Sequence, residues 1–198
     1  MNKIFCIGLQ RTGTTSLYQA ASLLGLRAAP SSVALLDNVS APLIEQYDFF
    51  SDNPIPLLYP ALDLAYPNSK FILTTRSVDD WLQSVEWLFT VDKPTLSPEL
   101  QQVGDDIHRR LYGTDTFDAE RFRAFWATYH AEVDAYFANR SADLLRLDLT
   151  QGDGWAQLCP FLNVLIPTDP FPHSNRRRSP FQQLKRWLAK IASRRLVR

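Results

Sequence analysis

Residues Ile4-Phe5-Cys6-Ile7 form an apolar run that leads into Gly8-Leu9-Gln10-Arg11-Thr12-Gly13-Thr14-Thr15-Ser16, after which Leu17, Ala20, Ala21 and Leu24 recur at helical spacing. A buried strand, a glycine-bounded loop and a helix, in that order, leave few folds open. The strand belongs in a parallel sheet, and the helix crosses one face of that sheet to reach the next strand. The same order builds a phosphate cradle, because backbone N–H groups of the loop and first helical turn converge on one anion and the helix dipole adds to the attraction. Gly8 and Gly13 are spaced as in the nucleoside-triphosphate loop G-x-x-x-x-G-K-[ST], but Thr14 stands where that motif needs lysine. The nearby cation is Arg11 instead. The loop therefore reads as a phosphate cradle not built for Mg-ATP.

Beyond Gly25, which ends the first helix, strands and helices alternate. Val33 to Ile44 has helical spacing broken by Pro42, Tyr47 to Phe50 reads as a second strand, and Leu57 to Tyr66 as a helix. Lys70 to Thr75 is the clearest strand; Val78 to Phe89 follows as a helix with Val78, Leu82, Val85 and Phe89 on one face. A proline-containing loop, Lys93 to Glu99, precedes two helical stretches, Leu100 to Leu111 and Ala119 to Phe137, and then come a strand, Leu144 to Leu149, and a helix, Gly154 to Leu162. The expected fold is α/β, one doubly wound parallel sheet flanked by helices, with ligands bound beyond the C-terminal strand ends. Arg11, Asp52 and Arg76 each follow such an end.

At 198 residues and 45% apolar content the chain suits one well-buried domain. Its formal net charge is zero but unevenly placed: nine of the 21 Lys and Arg lie beyond Asp169, where no acidic residue follows. Cys6 and Cys159 sit in apolar runs and read as small core residues, and no cysteine or histidine pair has metal-ligand spacing. No run approaches the ~20 apolar residues of a membrane span, and the N-terminus lacks signal-peptide character, so a soluble, cytoplasmic protein is expected.

A second anion site lies at Arg76-Ser77-Val78-Asp79-Asp80-Trp81-Leu82-Gln83-Ser84. Arg76 leaves a strand and Ser84 falls two turns into the next helix, so a guanidinium fork and a hydroxyl reach one phosphate together. Two anion sites on adjacent βα units without the lysine form a specific combination. In Arg11-Thr12-Gly13-Thr14-Thr15-Ser16-Leu17, and in Arg76 with Ser84, the sequence resembles the sulfotransferase family that uses 3′-phosphoadenosine 5′-phosphosulfate (PAPS). Leu144-Leu145-Arg146-Leu147-Asp148, Trp155, Leu158-Cys159, Phe161-Leu162 and Pro170-Phe171-Pro172 extend the resemblance over most of residues 3–175.

The resemblance implies a P-loop-like domain over 1–175 and metal-free transfer of a sulfuryl group from PAPS to a hydroxyl or amine. It implies that Arg11, Thr12, Gly13, Thr14, Thr15 and Ser16 hold the 5′-phosphosulfate, and Arg76 and Ser84 the 3′-phosphate. Many members carry lysine at position 11; arginine there acts electrostatically, not as an acid. For the base, the resemblance points to Asp52, after the second strand, where anionic surroundings raise a carboxyl pKa. The residue reads equally as a cap for the following helix. His108 is the other candidate base; His130 and His173 read as structural and surface residues. Residues 91–116 form an expected acceptor lid, with Trp87, Phe89 and Tyr112 either lining an aryl pocket or packing in the core. The acceptor is a small molecule, a glycan or a lipid, and no nucleic acid is expected.

The segment 176–198 is basic and amphipathic. Arg176, Arg177 and Arg178 either close over the 3′-phosphate, as a basic C-terminal segment does in the family, or belong to a tail whose helix, Phe181 to Ile191, rests on an anionic membrane or simply on the domain. Two rivals remain at this level. A nucleotide kinase or hydrolase needs the missing lysine and an acidic Mg ligand, for which Asp148 is the one candidate. A non-catalytic adaptor needs only the basic helix.

Overall fold

Four short parallel strands in the order β2-β1-β3-β4 carry the architecture: β1 (Ile4–Cys6), β2 (Phe49–Phe50), β3 (Lys70–Thr74) and β4 (Leu144–Leu147). The structure is a computed structural model that describes residues 2–30 and 32–174. Register follows side-chain alternation. Phe5 pairs with Phe71 and Phe50, while Cys6 pairs with Ile72 and sends its side chain to the opposite face. One face packs Ile4, Cys6, Phe49, Ile72 and Leu147 under helices α1 (Thr14–Leu23) and α7 (Trp155–Leu162).

The other face buries Phe5, Phe50, Phe71 and Leu73 under α3 (Ile55–Ala65), α4 (Val78–Trp87) and α6 (Ala119–Phe137). Both faces being covered explains why these strands read as continuous apolar runs. β1 connects leftward to β2 and β3 lies on its other side, so the strand order reverses at β1, the place where open parallel sheets form their ligand crevice.

Several boundaries differ from the expected ones. The second strand is confined to Phe49–Phe50; Asp48 before it still accepts from the Ile4 amide at 2.9 Å, while its carboxylate takes Arg27 Nε at 2.9 Å and the terminal guanidinium nitrogen at 2.7 Å. Val33 to Ile44 is a 3₁₀ turn, Val33–Leu36, followed by a four-residue helix, α2 (Leu43–Gln46), broken where Pro42 cannot donate. The third helix starts at Ile55, two residues early, since prolines are tolerated in a first helical turn. Leu88–Asp92 is a π turn and Lys93–Thr95 a 3₁₀ turn, so the expected proline loop is partly wound; α5 (Pro98–Tyr112) then begins at a Ser97 cap.

Candidate active site

The loop after β1 is held to β3 by a buried chain of hydroxyls. Thr12 Oγ1 donates to the Leu9 carbonyl at 2.6 Å, which leaves Thr74 Oγ1 to donate to Thr12 Oγ1 at 2.6 Å. Cys6 Sγ stands 3.8 Å from the same Thr74 oxygen, and burial pushes its thiol up to about 11, so it remains a protonated donor. Gly8 is required here: a Cβ would fall 1.8 Å from Thr74 Oγ1 and 2.7 Å from the Thr74 backbone. Gly13 turns the loop into α1 at φ 107°, where glycine alone is unstrained, and a Cβ there would meet Leu149. Helix α1 has no side-chain cap, so the amides of Thr14, Thr15 and Ser16 keep their first-turn donors for a ligand.

Arg11, in the left-handed region at φ 71°, projects from this loop toward the helix after β3. Its Nε donates to Ser84 Oγ at 3.0 Å, and its guanidinium lies 5.2 Å from the centre of the Trp87 ring, within cation–π range. Arg76, at the end of β3, donates to the Arg11 carbonyl at 3.1 Å. Ser77 fixes the start of α4 by accepting from the Asp80 amide at 3.2 Å, which sets Ser84 two turns along facing Arg11. The two segments expected to bind anions thus meet in one place.

Asp52 follows β2 at φ 67° and does not cap α3, which begins without a side-chain cap; its Oδ1 accepts from the Asn53 amide at 3.0 Å. The carboxyl is open to solvent on one side but crowded by protein on the others. That crowding raises its pKa, with the Asn53 amide and the Arg11 charge pulling the other way.

His108 is only 6% exposed and burial holds its pKa down to about 4. Its Nε2 lies 3.2 Å from Gln10 Oε1, which also accepts from Asn53 Nδ2 at 3.0 Å. Because that oxygen only accepts, Nε2 carries the proton and Nδ1 is a lone pair. Gln10 is the hub that sequence reading missed. Its carbonyl also takes the Trp81 indole N–H at 3.0 Å, so one residue ties β1, α4, α5 and the segment after β2. Its position directly before Arg11 was the one available signal.

Phe89 and Tyr112 are core residues, whereas Trp87 is exposed at the site; His130, half-buried, has its Nδ1 2.8 Å from the Trp126 carbonyl. The chain returns to the loop before residue 175. The Ser174 amide donates to Ser16 Oγ at 2.9 Å and Ser174 Oγ to Gln19 Oε1 at 2.5 Å. Arg176, Arg177, Arg178 and the helix expected over 181–191 lie outside the described residues. Among the described residues no cluster has metal-site composition, and no helix is long and apolar enough to cross a membrane.

Residues 33–179 match a family described as sulfotransferase domain. The matched span includes Asp52, Arg76, Ser84 and His108 but begins after the loop of residues 8–16. Ava biosynthesis cluster protein M of Aspergillus versicolor is 26% identical over 227 residues, covering 93% of this chain and 87% of that protein. A sulfotransferase from Alicyclobacillus acidocaldarius has the same fold, with a TM-score of 0.54 at 17% identity over 96% of this chain and 92% of its own.

Proposed function

We propose that this chain, which belongs to the sulfotransferase family, takes its sulfuryl group from PAPS and delivers it to an acceptor hydroxyl. The single observation behind this reading is the meeting of the uncapped α1 N-terminus with the Arg11–Ser84 contact and Arg76, which gathers two phosphate-type sites across adjacent βα units. Such a pair suits a nucleotide bearing phosphates at both its 5′ and 3′ positions. The fit is also steric: the loop keeps its backbone bare at Gly8 and Gly13, where side chains would collide with Thr74 or Leu149.

Bound PAPS supplies an SO3 group on a nucleotide phosphate leaving group. The amides of Thr14, Thr15 and Ser16 and the Thr14 and Thr15 hydroxyls hold the 5′ end, and Arg11 meets the negative charge that grows on the departing phosphate oxygen. Arg76 and Ser84 hold the 3′-phosphate. Asp52 accepts the acceptor's proton as the new oxygen–sulfur bond forms and the old one to phosphate breaks. His108, neutral and buried, acts through Gln10 and Asn53 to hold the segment carrying Asp52, and is a positioning residue. Arg176 and Arg177 follow the Ser174 anchor on Ser16 by two and three residues in sequence, which supports the reading that they reach the nucleotide.

Calorimetry tests the donor reading. Binding of 3′,5′-adenosine bisphosphate far tighter than ATP, abolished in Arg76→Ala, is the expected result. Tight Mg-ATP binding with no response to the bisphosphate would sink it.

A further inference from the structure

Helix α5 carries an apolar row that the domain covers only halfway. Ile107 and Leu111 are buried in the core, but Val103 and Leu100, one and two turns before Ile107 on the same side, are exposed, Leu100 at 59%. Between them stands Gly104. A glycine inside a helix costs about 1 kcal/mol relative to alanine and is kept where something must come close. Nothing within the fold does: a Cβ at Gly104 would meet no atom within 4 Å.

One turn further along the Leu100–Gly104 row come His108 and Tyr112, and here the chemistry changes. Both are more than nine-tenths buried, and His108 Nδ1, Tyr112 Oη, Gln10 Nε2 and Asn53 Oδ1 all lack hydrogen-bond partners. Tyr112 adjoins the Gln10 amide without a bond of proper geometry. Four such atoms in one cluster depart from the usual pairing of buried polar groups. They lie beside Asp52 through its neighbour Asn53.

The segment packed on this part of α5 is also apolar and bare. Phe89 stacks on His108 with centroids 4.6 Å apart, Lys93 pairs with Asp105, and around them Trp87 and Val91 are exposed at 42% and 50%. Trp87 is the residue that touches Arg11, so the apolar surface reaches the edge of the site.

We infer that the face of α5 over Gly104 seats the acceptor, and that the acceptor is a hydroxyl on an extended or flat apolar body, an aryl or lipid alcohol. The body lies on Gly104 against Leu100, Val103 and Val91, and the hydroxyl end faces the polar cluster and Asp52. A glycan fits poorly, because Leu100, Val103 and Val91 offer it no hydrogen-bond partners and the nearby Lys93 and Asp105 are paired with each other. This assignment rests on the sulfotransferase reading of the neighbouring donor site.

The test is calorimetric titration of 2-naphthol into wild type, Gly104→Ala and Gly104→Leu, with and without saturating 3′,5′-adenosine bisphosphate. Wild type binds naphthol. Gly104→Leu loses at least tenfold in naphthol affinity, with bisphosphate affinity unchanged and a melting temperature no lower than wild type, since either side chain favours the helix. Gly104→Ala, with only one methyl added, loses less. A double variant at exposed positions, Leu100→Gln with Val103→Gln, lowers naphthol affinity about tenfold without burdening the fold. Equal naphthol affinity in all variants, or binding of glucosamine in place of naphthol, overturns the assignment. If naphthol behaves as expected while the bisphosphate fails to bind, the acceptor face stands and the donor reading falls.

Discussion

Arg11 Nε donates to Ser84 Oγ at 3.0 Å, bridging the loop after β1 and the helix after β3, 73 residues apart in sequence. A guanidinium so held is shared between the two places where the nucleotide's charges would sit. It is also pre-oriented, because the Trp87 ring covers it and Arg76 holds the backbone behind it. Little side-chain entropy then remains to be lost when an anion arrives.

Ser84→Ala removes the oxygen that orients Arg11 and, on the proposed reading, one hydroxyl for the 3′-phosphate. A hydrogen bond to a charged group contributes about 1.5–3 kcal/mol, so affinity for 3′,5′-adenosine bisphosphate falls ten- to a hundredfold. Ser84 is partly exposed, so the melting temperature stays near that of wild type. Calorimetry and a thermal scan check both halves.

Arg11→Ala lowers kcat by roughly a hundredfold or more, the usual loss when one donor to a developing oxyanion is removed. Arg11→Lys restores the charge but not the planar Nε donor to Ser84 or the flat stacking on Trp87. It recovers only part of the rate, measured as turnover at saturating donor.

As the proposed base, Asp52 works only when deprotonated, and crowding raises its pKa from the ordinary carboxylate value. Activity therefore falls as pH drops through that raised value, higher than an exposed carboxylate would give. Asp52→Asn loses roughly 10²- to 10⁴-fold in kcat along with this acid limb, while bisphosphate affinity persists. His108→Asn lowers the rate but keeps the limb, as expected of a residue acting through Gln10. A pH profile of kcat/KM for the three proteins decides this.

Gly8→Ala drives a methyl into Thr74 Oγ1 and, behind it, into Thr74 backbone that cannot swing away. Overpacking of that kind costs roughly 3 kcal/mol, at the upper end of its usual range. For a domain of this size the melting temperature falls by about 6–12 °C. Differential scanning calorimetry is the measurement.

Arg27 beside Asp48 holds the Asp48 carboxyl down to about 2. A lowered pKa means the folded state prefers the charged form. The resulting stabilisation is present above the unfolded value near 3.8 and is lost as pH falls toward about 2. Urea titrations across that window show a steep decline for wild type and a flatter one for Asp48→Asn. The ion pair is solvent-screened on the Arg27 side, so the difference is modest.

What the sequence by itself determined is local or periodic. β1 and β3 were legible because strands buried on both faces are uninterrupted apolar runs, and the loop because glycine spacing and a following helical pattern occupy adjacent residues. Arg76 and Ser84 were legible because eight residues across a strand end and two helical turns place both groups toward the same strand ends. The tertiary structure alone decided what depends on residues far apart in the chain. Phe49–Phe50 is a strand because it completes a ladder with β1, not because two residues carry a pattern. Gln10 joins His108 and Asn53 across 98 and 43 positions. No local propensity encodes that hub, since a buried polar side chain takes its partners from whichever elements the sheet order brings together. The loop announced itself in nine consecutive residues; the surroundings of its arginine exist only once four strands have paired.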